Sequence, residues 1–175
     1  FVCQAAVHPR NRLLLLLKAF SLFKKRMESG MRLVIITGPL PAKDAWVDSL
    51  RLYKYRSELQ LVQDPAEAEH IVAAAYACIQ LSPLPADIIR SQACWSAGVP
   101  VITTDEEPAH ELMGNAALFT GTDDPAELAA QMMAVYRDEN LYRQVAAAGR
   151  QSWQESIGAN SDEQLYTFLR SLQKA

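Results

Sequence analysis

Short apolar runs rich in β-branched residues alternate along the chain with longer stretches whose apolar positions recur at helical spacing. The clearest run, Arg32-Leu33-Val34-Ile35-Ile36-Thr37, is almost unbroken and closes on Gly38-Pro39, as a strand covered on both faces does. The same reasoning predicts strands over Phe1–Val7, Glu58–Val62, Ala77–Leu81, Val99–Thr103 and Ala116–Phe119. Helices are expected between them. One is capped by Asn11 and runs to Ser29, with Gly30 as its stop and Leu13 to Leu17, Phe20 and Phe23 on its buried face. A second covers Ala42–Arg56 and turns Ala45, Trp46, Leu50, Leu52 and Tyr53 toward a core. Others cover Pro65–Ala74, Ala86–Ala97 (ended by Gly98) and Pro108–Met113. The remainder reads as three helices, Asp124–Arg137, Asn140–Trp153 and Ser161–Leu172.

Strand, helix, strand at this spacing implies right-handed crossovers and a parallel sheet with helices on both faces. The expected fold is therefore α/β, a doubly wound, Rossmann-like parallel sheet with C-terminal helices. Residues 1–150 would form the sheet domain and 151–175 a helical cap on the same domain. No solenoid repeat or low-complexity linker divides the chain. Such sheets take ligands outside the carboxyl ends of their strands, where strand order reverses. That singles out the loops His8–Arg12, Gly38–Lys43 and Ser82–Asp87.

Composition narrows the classes. Of 175 residues 50% are hydrophobic and 21% charged, which suits an ordered globular domain that needs no disulfide or structural metal. The net charge of -3 argues against a protein that works by bulk neutralisation of nucleic-acid phosphates. Lys24-Lys25-Arg26 reads as positive charge ending a helix, and Tyr53-Lys54-Tyr55-Arg56 as an amphipathic helix end rather than a base-stacking surface. Cys3, Cys78 and Cys94 are an odd, scattered set with no CxxC pair, so reduced, buried thiols in a cytoplasmic protein are expected. The apolar stretch Leu13–Phe23 is interrupted by Lys18 and is shorter than the roughly 18 residues a transmembrane helix requires. No signal peptide is read at the start, and an opening Phe1 rather than Met suggests a piece of a longer protein.

Several motifs are missing. There is no GxGxxG, no GxxxxGK[ST] and no GxSxG, which removes the usual dinucleotide, P-loop and hydrolase readings. A nicotinamide dehydrogenase is disfavoured on the same ground, since Thr37-Gly38 stands where an acidic strand end would be needed. His8, His70 and His110 lie far apart without HxxxH or HExxH spacing, and no metal site is expected.

A resemblance lies in Gln92-Ala93-Cys94-Trp95-Ser96-Ala97-Gly98-Val99-Pro100-Val101-Ile102-Thr103-Thr104-Asp105, which is similar to the "LEAMACGVPVVTSD" segment of group 1, GT4-like glycosyltransferases of the GT-B fold. Asn115-Ala116-Ala117-Leu118-Phe119 followed by Asp123-Asp124-Pro125-Ala126-Glu127-Leu128-Ala129 resembles that family's "DAALLVDPDDPEALA". Phe1 to Phe20 is similar to its first strand and helix, and Thr37-Gly38-Pro39 to its "LVGP" strand end. The pieces run in order from residue 1 to about residue 150. The resemblance implies one half of a two-domain enzyme, the C-terminal half that binds a nucleotide-sugar donor. A separate N-terminal half of the same chain would carry the acceptor site. It also implies retaining transfer with no cofactor or metal, the nucleotide sugar being substrate.

The residues the family uses are largely replaced. Its phosphate-binding Arg and Lys fall on Ala6 and Asn11, its pair of Glu residues on Pro85 and Ala93, and its small glycines on Ala86 and Ile88. No catalytic residue is therefore identified. A rebuilt donor site would draw on Arg10, Arg12, Gly38, Asp87, Arg90 and Glu111. Arg10 and Arg12 flank the lost Lys and an Arg fork suits phosphate, though both also read as solvated loop charges. Asp87 and Arg90 equally read as a surface ion pair one helical turn apart, and the helix N-terminus near Ala86 as an anion site without side chains. Glu111 matches a family Glu, with capping or solvation as the plainer reading. Two functions follow: the donor-side domain of a glycosyltransferase, whose isolated fragment is inactive, or a glycosyltransferase-like module that has lost donor binding and serves structure or interaction. A cytoplasmic location is expected, including the inner face of a membrane reached through the parent protein. No nucleic acid partner and no transmembrane segment are expected.

Overall fold

A computed structural model of the chain describes residues 1–4, 12–37, 50–82 and 90–158. Six strands form one all-parallel sheet: β1 (Val2–Gln4), β2 (Leu33–Ile36), β3 (Leu59–Val62), β4 (Cys78–Gln80), β5 (Val101–Thr104) and β6 (Ala117–Thr120). Their order is β3-β2-β1-β4-β5-β6, so the chain reverses its direction of travel across the sheet between β1 and β4. The described helices are α1 (Leu13–Met27), α2 (Pro65–Ala73), α3 (Ser91–Ala97), α4 (Glu107–Met113), α5 (Pro125–Arg137) and α6 (Glu139–Gly158).

Side chains alternate across each strand, and this alternation divides the core in two. Phe1, Cys3, Leu33, Ile35, Ile79 and Ile102 face α1 and α5, whose Leu16, Phe20, Phe23, Leu128 and Met132 complete one cluster. Val2, Ile36, Cys78 and Val101 face the other way, toward Val72 of α2, Cys94 and Trp95 of α3, and Met113 of α4. Because both faces are covered, β1, β4 and β5 show no polar alternation, which is why they read as short continuous apolar runs. Helix α6 serves both clusters. Tyr142 near its start packs on the first, Ala148 and Trp153 on the second.

Trp95 is buried and donates from Nε1 to the Ala116 carbonyl at 3.1 Å, so it is a packing residue as expected. All three cysteines are buried. The neighbouring Cys78 thiol, reinforced by burial, pushes the Cys94 thiol upward and keeps it protonated. No helix among the described residues is long and apolar enough to cross a membrane.

Several boundaries differ from the sequence reading. The helix expected over Ala42–Arg56 stops early: Leu50 is helical, then turns lead into a 3-10 turn over Arg56–Glu58. Tyr53 leaves helical register to donate its hydroxyl to the Leu17 carbonyl at 2.9 Å, and Leu52, expected in the core, is 91% exposed. Within the leucine run of α1, Leu14 points outward. Arg90 lies in the turn before α3, and the expected helix start at Ala86 lies outside the described residues. Helix α6 begins at Glu139 and continues past Trp153 to Gly158. Residues 159–175, including the helix expected over Ser161–Leu172, lie outside the described residues, as do Ala45, Trp46 and the 5–7 end of the first strand.

The stop of α1 also moves. Glu28, not Gly30, takes the left-handed conformation (φ 47°, ψ 32°), its N–H bonding the Lys24 carbonyl. A side chain with a Cβ is strained there, and a carboxylate at a helix C-terminus opposes the helix dipole. Glu28→Gly is expected to stabilise the fold by about 1 kcal/mol, read as a higher urea midpoint; an unchanged or lower midpoint would contradict the account.

Candidate functional site

The reversal of strand order places the carboxyl ends of β1 and β4 side by side, the position at which sheets of this kind take ligands. Helix α1 enters at this point. Its N-cap is Arg12, a non-glycine residue held at φ 50°, ψ 35°, with no side-chain cap and no acidic residue in the first turn. Among the described residues, the positive end of this helix of 15 residues thus lies beside the strand ends without an anion of its own cap.

Strain of this kind persists only where surrounding contacts hold it. Here they are made by the guanidinium. Arg12 Nη1 donates to the Leu81 carbonyl at 3.1 Å, just past β4, and Nη2 to Glu106 Oε1 at 3.2 Å, just past β5. The second carboxylate oxygen of Glu106 accepts from the Thr104 hydroxyl at 2.8 Å. One side chain therefore joins the start of α1 to the ends of two strands. Deeper in the same edge, buried Ser91 at the start of α3 donates its hydroxyl to the Gln80 side-chain oxygen. These buried or half-buried polar groups sit together because the strands end there and their side chains project past the last ladder bond.

Beside this network, His110 on α4 stacks on Phe119 with ring centroids 3.9 Å apart, and its Nε2 contacts Asp105. The hydroxyls of Thr37, Thr103 and Thr120 are buried in or just past β2, β5 and β6 and have no hydrogen-bond partner among the described residues. Among the described residues no cluster of three His, Cys, Asp or Glu side chains suits a metal ion.

Of the residues expected to build a donor site, Arg12 is the one placed within the network. Arg10, Gly38 and Asp87 lie outside the described residues, as do Ala6, Asn11, Pro85, Ala86 and Ile88. Arg90 and Glu111 are exposed, Arg90 at the turn into α3 and Glu111 on α4. Ala93, where the resemblance implies a carboxylate, is also exposed and offers only a methyl group. Sequence reasoning missed Glu106, Thr104, Gln80 and Ser91. The run Thr104-Asp105-Glu106-Glu107-Pro108, a strand end followed by carboxylates and a helix-opening proline, was the available signal.

The family model described as "Glycosyl transferases group 1" matches residues 1–138. No match is found among curated protein sequences. Solved structures match in fold. HepE from Anabaena, solved in complex with UDP, superposes with a TM-score of 0.77 at 18% identity, covering 98% of this chain and 49% of that one. Sucrose-phosphate synthase from Thermosynechococcus elongatus gives 0.78 at 17% identity, covering 98% of this chain and 45% of that one. The C-terminal domain of a group 1 family glycosyl transferase (LpcC) from Francisella tularensis gives 0.73 at 13%, and there the match covers 89% of this chain and 85% of that domain. The chain thus spans about half the length of the first two and most of an isolated C-terminal domain.

Proposed function

The chain belongs to the group 1 glycosyl transferases, and from that premise we propose that it is the donor-side domain of an enzyme transferring a sugar from a nucleoside diphosphate to an acceptor. The observation that carries this reading is Arg12, placed at the strand-order reversal beside the N-terminus of α1, which has no side-chain cap among the described residues. In such a transfer the bond from the sugar's anomeric carbon to the diphosphate oxygen breaks and the diphosphate leaves with the electron pair. A fixed guanidinium and aligned backbone amides stabilise that developing charge without moving at the moment of reaction. The acceptor oxygen bonds the same carbon and loses its proton, and the groups that bring it there belong to a second, N-terminal half. That half is the partner this reading requires, and the domain alone would be inactive. HepE, with its UDP complex, supports a uridine nucleotide as the first ligand to try. The reading calls for no cofactor, and for a place in the cytoplasm or at the inner face of a membrane.

A second reading is favoured by two specific observations. Arg12 is already engaged by Glu106, and Ala93 stands where the family has a carboxylate. On this reading the domain keeps the fold as a structural or interaction module. A thermal-shift titration with UDP, GDP, ADP and their sugars separates the two. Ligand at fifty times its dissociation constant would stabilise by about 2.3 kcal/mol, a rise of roughly 5–9 °C for a domain of this size. A rise selective for one base is the expected result; a flat response at millimolar ligand would favour the module.

A further inference from the structure

We propose that Glu106 is a built-in competitor for the anion seat at Arg12, a latch that any phosphate-bearing ligand must open and that therefore sets the affinity of the site. The proposal deepens the donor-side reading and rests on it for the nucleotide, but not for the phosphate.

The argument begins with how Glu106 is held. Its two oxygens are both used, Oε1 by Arg12 Nη2 at 3.2 Å and Oε2 by the Thr104 hydroxyl at 2.8 Å. The two charged side chains are only 23% and 25% exposed, so salt and water weaken the pair less than an ordinary surface contact. Glu106 does not serve its own helix. It occupies the N-cap of α4 yet makes no side-chain cap, so its carboxylate is committed to Arg12 across 94 residues of chain. Arg12 in turn sits in left-handed backbone at the mouth of α1, which fixes where its guanidinium points.

A phosphate approaching Nη2 of Arg12 meets a carboxylate already on that donor. Two anions cannot share the position without strong repulsion, so Glu106 must swing outward into the solvent that reaches one side of it. The apparent dissociation constant is then the intrinsic one divided by the fraction of molecules with the latch open. A half-buried, charge-assisted pair with a second hydrogen bond on the carboxylate keeps that fraction to about one in ten. The penalty is the same for every anion that must take this seat, so the latch sets the affinity without choosing the base.

The test is calorimetric titration of the 175-residue chain with inorganic pyrophosphate and with UDP, comparing the parent, Glu106→Gln, Thr104→Val, Arg12→Ala and Arg12→Ala/Glu106→Gln. Glutamine keeps the shape and removes the charge, and valine removes only the hydroxyl on Oε2; the melting temperature of each variant establishes that it is folded. Glu106→Gln is expected to bind pyrophosphate about tenfold more tightly than the parent, and Thr104→Val to gain a smaller factor. In the Arg12→Ala background the Glu106 change is expected to give no gain. Equal pyrophosphate affinity in parent, Glu106→Gln and Thr104→Val would overturn the latch. A gain with pyrophosphate but no binding of UDP to any protein would leave the latch standing and overturn the nucleotide reading. No binding of either probe to any protein would overturn both.

Discussion

Replacing Phe23 with alanine is expected to lower the stability of the domain by about 4 kcal/mol. This residue of α1 is fully buried at the centre of the larger core cluster. Its ring meets Phe1 edge-on with centroids 5.1 Å apart and Tyr136 of α5 edge-on at 5.4 Å, and stacks with Phe20 at 6.3 Å. Truncation removes the transfer energy of the ring and leaves a cavity between two helices and the sheet, where none of these neighbours can close without losing its own contacts. The midpoint in urea should fall sharply with an unchanged slope. A loss under about 1 kcal/mol would mean that the rings around it repack freely and that the cluster is not the close-packed unit described.

The second large effect is one residue further along. Lys24→Ala is expected to cost about 3 kcal/mol, whereas Lys25→Ala should change stability by no more than about 0.5 kcal/mol. The two lysines are neighbours with the same charge, but only Lys24 is buried. Its ammonium pairs with Glu58, donates to the Ser29 carbonyl, and lies 3.3 Å from the Met31 carbonyl. It thereby supplies donors to the chain leaving α1 and ties that exit to the 3-10 turn before β3. Alanine would leave a half-buried carboxylate without its cation and two carbonyls without their donor. Denaturation of the two variants side by side checks this, and equal midpoints would sink it. The basic run at residues 24–26 is thus not only a favourable partner for the helix dipole, as its composition suggests; one of its members is internal structure.

What the sequence disclosed and what it hid follow from the range of the forces involved. The strands were legible because burial on both faces forces a local pattern: Leu33-Val34-Ile35-Ile36 must be apolar at every position. Gly98 was legible as the stop of α3 because its φ of 70° is costly for other residues. The stop at Glu28 was not, since nothing local marks a glutamate for left-handed backbone; Gly30, two residues on, was the plausible but wrong choice. Leu50 and Tyr53 stand three apart, which mimics a continuing helix, yet Tyr53 is claimed by Leu17 and Ser21 of α1. At the site, Arg12 was visible as a cation beside the first helix. Glu106 was not, because its meaning depends on a partner brought to it by the sheet rather than by sequence spacing.

The strand order has a bearing on how the chain assembles. β1 is synthesised before the other five strands of the sheet, yet it lies in the interior, paired on one side with β2 and on the other with β4. Its first partner follows after a single helix, so the half made of β1, β2 and β3 can collapse early through comparatively local contacts. The second partner, Cys78–Gln80, emerges much later, and until it does one edge of the future central strand stays open. Joining the halves demands closure of a long loop against chain entropy, the step that slows parallel α/β folds and leaves a strand edge exposed to other chains. The seam between β1 and β4, where the strand order reverses in the finished molecule, is thus also the join that the nascent chain completes late.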